Sequence, residues 1–312
     1  MPTTSLLQVC KQRLEGLLWS LWSELGVPGW ERRHQSWWID PEALLLFTAT
    51  VDPIDPRLRE EAMAWCLQHR RFLSGARLKS LLGEPRFGEP SRYQPQLGRF
   101  LATVSMARSH GLGESHQPYP VQIRQKSGPG GLNRAAQLSL RLRTLLGVTA
   151  KAEVVRVFLD RSDETLTAAD MVNEGVGYTK RATRDALEDL RMGGIAELEV
   201  SGNRKGYRFL GRKSFSELLA PEPGHFPKWR QLFAVLRGSL NLIEEIDRFR
   251  PSTRPVEIRR SFTALASQIR GAGLLPPALD AGSDAFEEFE AWVGELLEAL
   301  ASGSTDWTSR SQ

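Results

Sequence analysis

The stretch that decides the predicted fold is LTAADMVNEGVGYTKRATRDALEDLRMGGIAELEVSGNRKGYRFL, residues Leu166–Leu210. It opens with a capping box, in which Thr167 and Asp170 satisfy the free amides at a helix start. This first helix is short and ends in the glycine turn GVG, after which Thr179 caps a second helix. In the second helix apolar residues recur at the spacing of one buried face: Ala182, Ala186, Leu187 and Leu190.

The pattern changes from helical to alternating after Gly193-Gly194. Side chains alternate over residues 195–200 and again over 207–210, and the turn at 201–206 contains glycine, asparagine and two cations. Such a pattern predicts a β-hairpin with a basic tip. A further helix is predicted just before the stretch, at Thr149–Leu159. The predicted order is therefore helix, short helix, glycine turn, helix and hairpin.

This order resembles the winged helix-turn-helix domain of bacterial transcription regulators of the MarR-like and ArsR-like kind. The resemblance implies that the helix at 179–192 enters the major groove of DNA. It also implies that the hairpin turn at 201–206 reaches the backbone or the minor groove. Carried over by position, the DNA-binding residues are Tyr178, Thr179, Lys180, Arg181, Thr183, Arg184, Asn203, Arg204 and Lys205.

The chemistry of these side chains suits DNA without reference to a family. Arginine and lysine offer donors to guanine, and the hydroxyls of threonine and tyrosine suit bases or phosphates. The acidic residues of the second helix, Asp185, Glu188 and Asp189, come later along it. The alternative interpretation is a protein-interaction module, because a fold does not by itself determine a function.

The distribution of charge points to the middle of the chain. The net charge is only +4, but residues 85–150 contain nine basic and two acidic residues, whereas residues 214–312 contain ten basic and fourteen acidic ones. A basic middle is typical of a segment that meets a polyanion. The alternative is a face that packs on the acidic C-terminal part. The residues predicted as phosphate contacts are Arg124, Lys126, Arg134, Arg141 and Arg143.

The flanking regions have helical patterns. Helix starts are predicted at Asp40-Pro41, Asp55-Pro56 and Ser74. Asp and Ser accept the free amide protons at a helix start, and proline is tolerated at the first helical position. Tryptophans cluster near Trp37 and Trp38, either as an aromatic platform for a partner or as a core built from large rings. Towards the C-terminus, helices are predicted at 226–249, 255–272 and 283–300.

The predicted fold class is mostly α with a small β-hairpin wing, a central winged helix-turn-helix flanked by N- and C-terminal helical regions. We expect five segments. They are a Trp-rich helical domain at 1–84, a basic connector with helices at 85–147, the winged helix-turn-helix domain at 148–213, a C-terminal helical domain at 214–302 and a flexible tail at 303–312.

Several classes of protein are disfavoured by what the sequence lacks. Its apolar runs are far shorter than the roughly 20 residues that cross a bilayer, and the N-terminus has no secretory pattern. Two cysteines do not make a disulfide framework, and His110 and His116 lack a placed third metal ligand. No HExxH, CxxC, GxSxG or dinucleotide motif occurs. We therefore expect a cytoplasmic protein that is not an enzyme and needs no cofactor or metal.

The sequence favours a sequence-specific regulator that binds double-stranded DNA. A homodimer is expected, because such regulators commonly match two half-sites. The alternative is an interaction protein, such as an antitoxin-like partner that autoregulates its operon and caps another protein with its N-terminal helices. An enzyme with an unrecognised site is a third hypothesis.

Overall fold

The described part of the chain is mostly helical, as predicted. It contains 13 α-helices, three short 3₁₀ turns and one two-stranded antiparallel hairpin. The computed structural model describes residues 3–29, 32–51, 55–83, 94–104, 116–123, 131–161, 164–219, 224–250, 252–277, 279 and 284–304. The predicted tail lies outside the described residues from 305 onward.

The elements are numbered in chain order. The helices are α1 (Thr3–Leu25), α2 (Pro41–Thr50), α3 (Pro56–Gln68), α4 (Gly75–Leu82), α5 (Gln94–Thr103), α6 (Leu138–Leu146), α7 (Ala150–Asp160), α8 (Ala168–Asn173), α9 (Lys180–Met192), α10 (Arg212–Leu219), α11 (Trp229–Glu245), α12 (Arg254–Gly271) and α13 (Ala285–Ser302). The strands are β1 (Ala196–Ser201) and β2 (Arg204–Phe209).

The N-terminal helices start where short polar side chains cap them. The Asp40 carboxylate accepts from the amides of Glu42 and Ala43 at 3.1 and 3.2 Å, and so begins α2. Asp55 caps α3 and Ser74 caps α4 in the same way, by accepting from the amide two or three residues later. These three predicted starts are confirmed.

The two ends of the chain pack together. Helix α1 contacts α13 and α11, and α12 lies between α11 and α13. The buried imidazole of His34 joins the ends, because its Nδ1 lies 2.7 Å from Ser20 Oγ on α1 and its Nε2 lies 2.7 Å from the carbonyl of Leu300 on α13. Much of the apolar stripe of α13, including Phe289 and Val293, is buried within this chain. A homodimer through those residues therefore has no support.

Trp37 and Trp38 are core residues. Trp37 is fully buried and Trp38 is 5% exposed. Trp37 stacks edge-on against His34, and the indole of Trp229 donates to the carbonyl of Trp38 at 2.7 Å. The interpretation as an exposed platform at these two residues is therefore wrong. Buried apolar residues from α1 to α13 form one hydrophobic cluster.

The hairpin follows α9 and pairs with a third segment of chain. Strands β1 and β2 pair antiparallel, with Ser201 opposite Arg204 across the turn Gly202-Asn203. Gly202 has a φ of +58°, which suits a tight hairpin turn that begins with glycine. Leu166, just before α8, exchanges two backbone hydrogen bonds with Tyr207 of β2, at 3.0 and 2.9 Å. This pairing was not predicted, because Leu166 and Tyr207 lie far apart in the chain.

A search of the described residues for a helix suited to crossing a bilayer finds none. The same residues contain no group of three or more His, Cys, Asp or Glu side chains that could hold a metal ion. His110 lies outside the described residues.

Candidate nucleic-acid interface

The first turns of α9 carry three exposed cations. Thr179 is exposed and caps the helix, since its hydroxyl accepts from the amide of Ala182 at 3.2 Å. Lys180, Arg181 and Arg184 then point to solvent. The Arg181 side chain is 86% exposed and lies 4.0 Å from the Asp185 carboxylate, an exposed pair that is broken at little cost.

Thr183 does not belong to this exposed group. Its side chain is fully buried, and its hydroxyl donates to the carbonyl of Thr179 at 3.0 Å. The predicted contact between Thr183 and DNA is therefore wrong. The residue lies one helical turn after the cap, on the side of α9 that packs inward against α7 and α8.

Tyr178 is turned towards the interior. Its ring is half-buried, and its hydroxyl lies 2.9 Å from Ser74 Oγ at the start of α4 and donates to the carbonyl of Val148 at 3.4 Å. Burial raises the pKa of the Tyr178 phenol. The hydroxyl that was predicted to meet a base or a phosphate is thus hydrogen-bonded within the protein.

The hairpin tip carries the second group of predicted residues, and all three are exposed. Successive residues of a strand point to opposite faces, so Lys205 shares a face with Tyr207, whereas Arg204 points to the other face. The Arg204 side chain is 67% exposed and lies 3.1 Å from the Asp170 carboxylate at the start of α8. Asn203 occupies the second position of the turn.

A hydrogen bond between Tyr207 and Glu188 joins the hairpin to α9. The Tyr207 hydroxyl donates to the Glu188 carboxylate at 2.5 Å. Burial and then Glu188 raise the pKa of Tyr207 to about 12, and the positive charge of Arg184 opposes them. The Tyr207 hydroxyl and then Arg191 lower the pKa of Glu188, and Lys205 adds to this. Arg184 lies one helical turn before Glu188 on α9, and Lys205 lies on the same strand face as Tyr207, so both cations flank this hydrogen bond.

The opposite face of the hairpin is not cationic overall. Arg208 makes ion pairs with Glu197 and Glu199 at 2.6 and 2.8 Å, and Glu199 also accepts from the hydroxyl of Thr165 at 2.6 Å. Acidic groups balance the cation on this face. Arg208 is thus balanced by two carboxylates, whereas the first turns of α9 and Lys205 at the hairpin tip present exposed cations.

Arg143, from the basic connector, is a buried residue. It is 4% exposed, and its guanidinium makes ion pairs with Glu42 and Glu153, both at 2.7 Å, and donates to the carbonyl of Phe72 at 2.6 Å. The predicted phosphate contact by Arg143 is therefore wrong, because the side chain never reaches the surface.

Arg134 and Arg141 are half-buried and bind the ends of helices. Arg134 donates to the carbonyls of Ser23 and Glu24 at 3.2 and 3.1 Å, at the C-terminal end of α1. Arg141 donates to the carbonyls of Leu218 and Leu219, at the end of α10. Cations suit helix C-termini, whose last carbonyls lack helical partners. Their guanidinium groups are engaged within the protein. Arg124 and Lys126 lie outside the described residues.

A buried cluster of six charged side chains lies behind the turn between α8 and α9. We call it the buried charge cluster: Asp40, Glu42, Arg77, Arg143, Glu153 and Arg156. Three carboxylates balance three guanidinium groups, which is the condition under which charges are tolerated in a protein interior. Burial alone would raise the pKa of Glu153, but its three arginine partners outweigh burial and hold that pKa well below its usual range.

Arg77 connects the buried charge cluster to the turn before α9. Its guanidinium pairs with Asp40, with Glu42 at 3.1 Å and with Glu153 at 3.2 Å. It also donates to the carbonyls of Gly175 and Val176 in the turn, at 3.0 and 2.5 Å. Sequence reasoning missed this role because the partners lie about a hundred residues apart and share no motif.

The comparisons with known proteins give no relative for this chain: no family model, curated protein or solved structure matches it.

Proposed function

We propose that this protein binds double-stranded DNA as a sequence-specific transcriptional regulator. In this proposal the first turns of α9 enter the major groove and the hairpin tip lies on the backbone or in the minor groove, as in a winged helix-turn-helix domain. Thr179, Lys180, Arg181 and Arg184 would meet base edges and phosphates, and Asn203, Arg204 and Lys205 would meet the backbone.

One observation carries the proposal. Tyr207 of the hairpin donates to Glu188 of α9; Arg184 lies one helical turn before Glu188, and Lys205 shares a strand face with Tyr207, so exposed cations from both elements flank one contact. Solvent-exposed cations from two converging elements suit a phosphate backbone and the base edges beside it. The order of α7, the Leu166 pairing, α8, α9 and the hairpin also fits a winged helix.

The test is selection from a random duplex library, followed by affinity measurements across a salt series. We expect a few sequences to bind tightly, with an affinity that falls steeply as salt rises. Arg181→Ala combined with Arg184→Ala should cost about 1–3 kcal/mol for each lost base contact and should relax the sequence preference. Lys205→Ala should weaken binding to all duplexes alike and flatten the salt dependence.

Arg260→Ala is the matched control, because Arg260 is a comparably exposed arginine on α12, at 81%. It should bind as the unchanged protein does. If the Arg181 and Arg184 double variant binds with unchanged affinity and preference, the assignment of α9 is wrong. If the unchanged protein selects no sequence, the proposal of specific regulation is wrong.

The interaction hypothesis loses Trp37 and Trp38 as contact residues, because both are buried, and its use of the N-terminal helices stays a prediction. The homodimer stays a prediction, and the apparent mass of the protein bound to its selected duplex would test it.

A further inference from the structure

The turn that precedes α9 is held by α4, a helix of the N-terminal region. Ser74 caps α4 through the amide of Arg77, and the same Ser74 hydroxyl lies 2.9 Å from the hydroxyl of Tyr178. Three residues further on, the Arg77 guanidinium binds the carbonyls of Gly175 and Val176. The two contacts thus secure both ends of the four-residue turn 175–178.

The same turn is closely packed against Arg77. Gly177 has a φ of +71°, and a Cβ added there would lie 2.9 Å from Nη1 of Arg77. Both its left-handed backbone and its close contact with Arg77 therefore require glycine. The amide of Ser74 donates to the Glu42 carboxylate at 2.6 Å, which ties the start of α4 to the buried charge cluster.

We propose that Ser74 and Arg77 are positioning residues for α9, through which the N-terminal helices set the affinity for nucleic acid. This inference rests on the proposed function and adds a regulatory connection to the same site. Ser74 lies 3% exposed in the interior and so does not itself meet a duplex. Its effect passes through the Tyr178 hydroxyl to the residues at the start of the helix. Since Tyr178 directly precedes Thr179, any movement of the turn is transmitted to the cationic end of α9.

A double-mutant cycle with Ser74→Ala and Tyr178→Phe tests the inference, because each variant removes one hydroxyl of the same hydrogen bond. Each single variant should lower the affinity for the selected duplex about threefold to tenfold, and the double variant should lose less than the two single losses combined, because the shared hydrogen bond is removed only once. The salt dependence should stay unchanged, because no phosphate contact is removed. A merely structural role would lower thermal stability and leave the affinity of the folded protein as it was.

The control is Asp284→Ala, which removes a comparable helix cap at the start of α13. It should lower stability without lowering affinity. Arg77 itself is left unchanged, because its loss would disrupt the buried charge cluster and the fold.

The outcomes separate this inference from the proposed function. If Ser74→Ala and Tyr178→Phe bind like the unchanged protein while the Arg181 and Arg184 double variant binds weakly, the inference is overturned and the proposed function stands. Losses that add fully in the double variant, or a loss in Tyr178→Phe alone, would mean that the Ser74–Tyr178 hydrogen bond does not carry the effect, which also overturns the inference. If the cationic variants show no effect, the proposed function fails, and the inference fails with it.

Discussion

Two groups of charged side chains lie on either side of the turn between α8 and α9, and they differ in burial and in the balance of charge. The buried charge cluster has three arginines and three carboxylates that make ion pairs out of contact with water. The start of α9 has three cations in solvent, with one carboxylate, Asp185, at 4.0 Å from Arg181. Arginine stabilises the fold in the first group and is available to an external anion in the second.

The comparison shows why a count of charges along the chain misleads. The basic excess of residues 85–150 suggested a surface for a polyanion, yet each of its predicted contacts that the structure describes binds carbonyls or carboxylates inside the protein. The segment at 151–213 is close to neutral, yet it contributes the exposed cations of α9 and the hairpin. The location of a charge, rather than its number, decides what it binds.

The largest loss of stability is expected from removing one carboxylate from the buried charge cluster. Glu153→Gln keeps the shape of the side chain but leaves three guanidinium groups facing two carboxylates in the interior. We expect the free energy of unfolding to fall by about 3–5 kcal/mol, as when one partner of a buried ion pair is removed. Urea unfolding followed by circular dichroism measures this.

Glu199→Gln is the matched control on the hairpin, where Glu199 pairs with Arg208 in solvent. It should leave the unfolding midpoint nearly unchanged, since exposed ion pairs contribute little. Equal midpoints for the two variants would contradict the distinction drawn between buried and exposed charges.

His34 is a buried ionisable group whose ring nitrogens contact the Ser20 hydroxyl and the Leu300 carbonyl rather than carboxylates. Burial lowers the pKa of its ring from 6.5 to about 4, and nearby Arg33 adds to this, while the hydrogen bond to Leu300 opposes it. The unfolded chain takes up the proton near pH 6.5 and the folded protein only near pH 4. The free energy of unfolding should therefore fall as the pH is lowered through this range, by about 3 kcal/mol in total.

Urea unfolding at several pH values measures this effect, with His34→Asn for comparison. The variant should be less stable near neutral pH and should show a shallower decline below pH 6.5. The same decline in both proteins would mean that His34 is not the group that titrates. The pKa of His225 is also lowered by burial, and it contributes equally to both proteins.

The smallest expected effect concerns the bond that joins the hairpin to α9. Tyr207 should remain protonated at pH 10, where an ordinary tyrosine is half ionised, because burial and Glu188 raise its pKa to about 12. Glu188→Gln should lower that pKa part of the way back, since burial remains. Titration of the tyrosine rings by NMR measures both values.

Tyr178 provides the internal control in the same titration, because Ser74 rather than Glu188 faces its hydroxyl. Its pKa should not change in Glu188→Gln. If Tyr207 titrates like an ordinary tyrosine, the contact between β2 and α9 is absent in solution, and the convergence of Arg184 and Lys205 loses its support.

Features that depend on neighbours in the sequence were predictable. Asp40, Thr167 and Thr179 each cap a helix through an amide two or three residues away, so the residue type and its spacing suffice. The three C-terminal helices lie within a few residues of their predicted bounds for the same reason, since their apolar periodicity is local. Helix α10, of eight residues, was not predicted.

Features that depend on distant partners were not predictable. Nothing near Arg143 indicates that Glu42, 101 residues earlier, will neutralise it. Tyr178 was predicted to meet DNA by its position in the winged helix-turn-helix resemblance, but its hydroxyl meets Ser74, 104 residues away. At the candidate site, therefore, the sequence indicated which segment carries the cations, whereas the inward positions of Thr183 and Tyr178 required the tertiary contacts.

The buried charge cluster takes its residues from two distant parts of the chain, and this limits which segments could be transferred to another protein by gene fusion. Glu153 and Arg156 come from α7, whereas Asp40, Glu42 and Arg77 come from the first quarter of the chain. A gene fusion that carried α7–α9 and the hairpin to another protein would separate Glu153 from Arg77 and Arg143, two of the three arginines that neutralise it. The segment proposed to bind DNA is therefore expected to fold only together with the N-terminal helices.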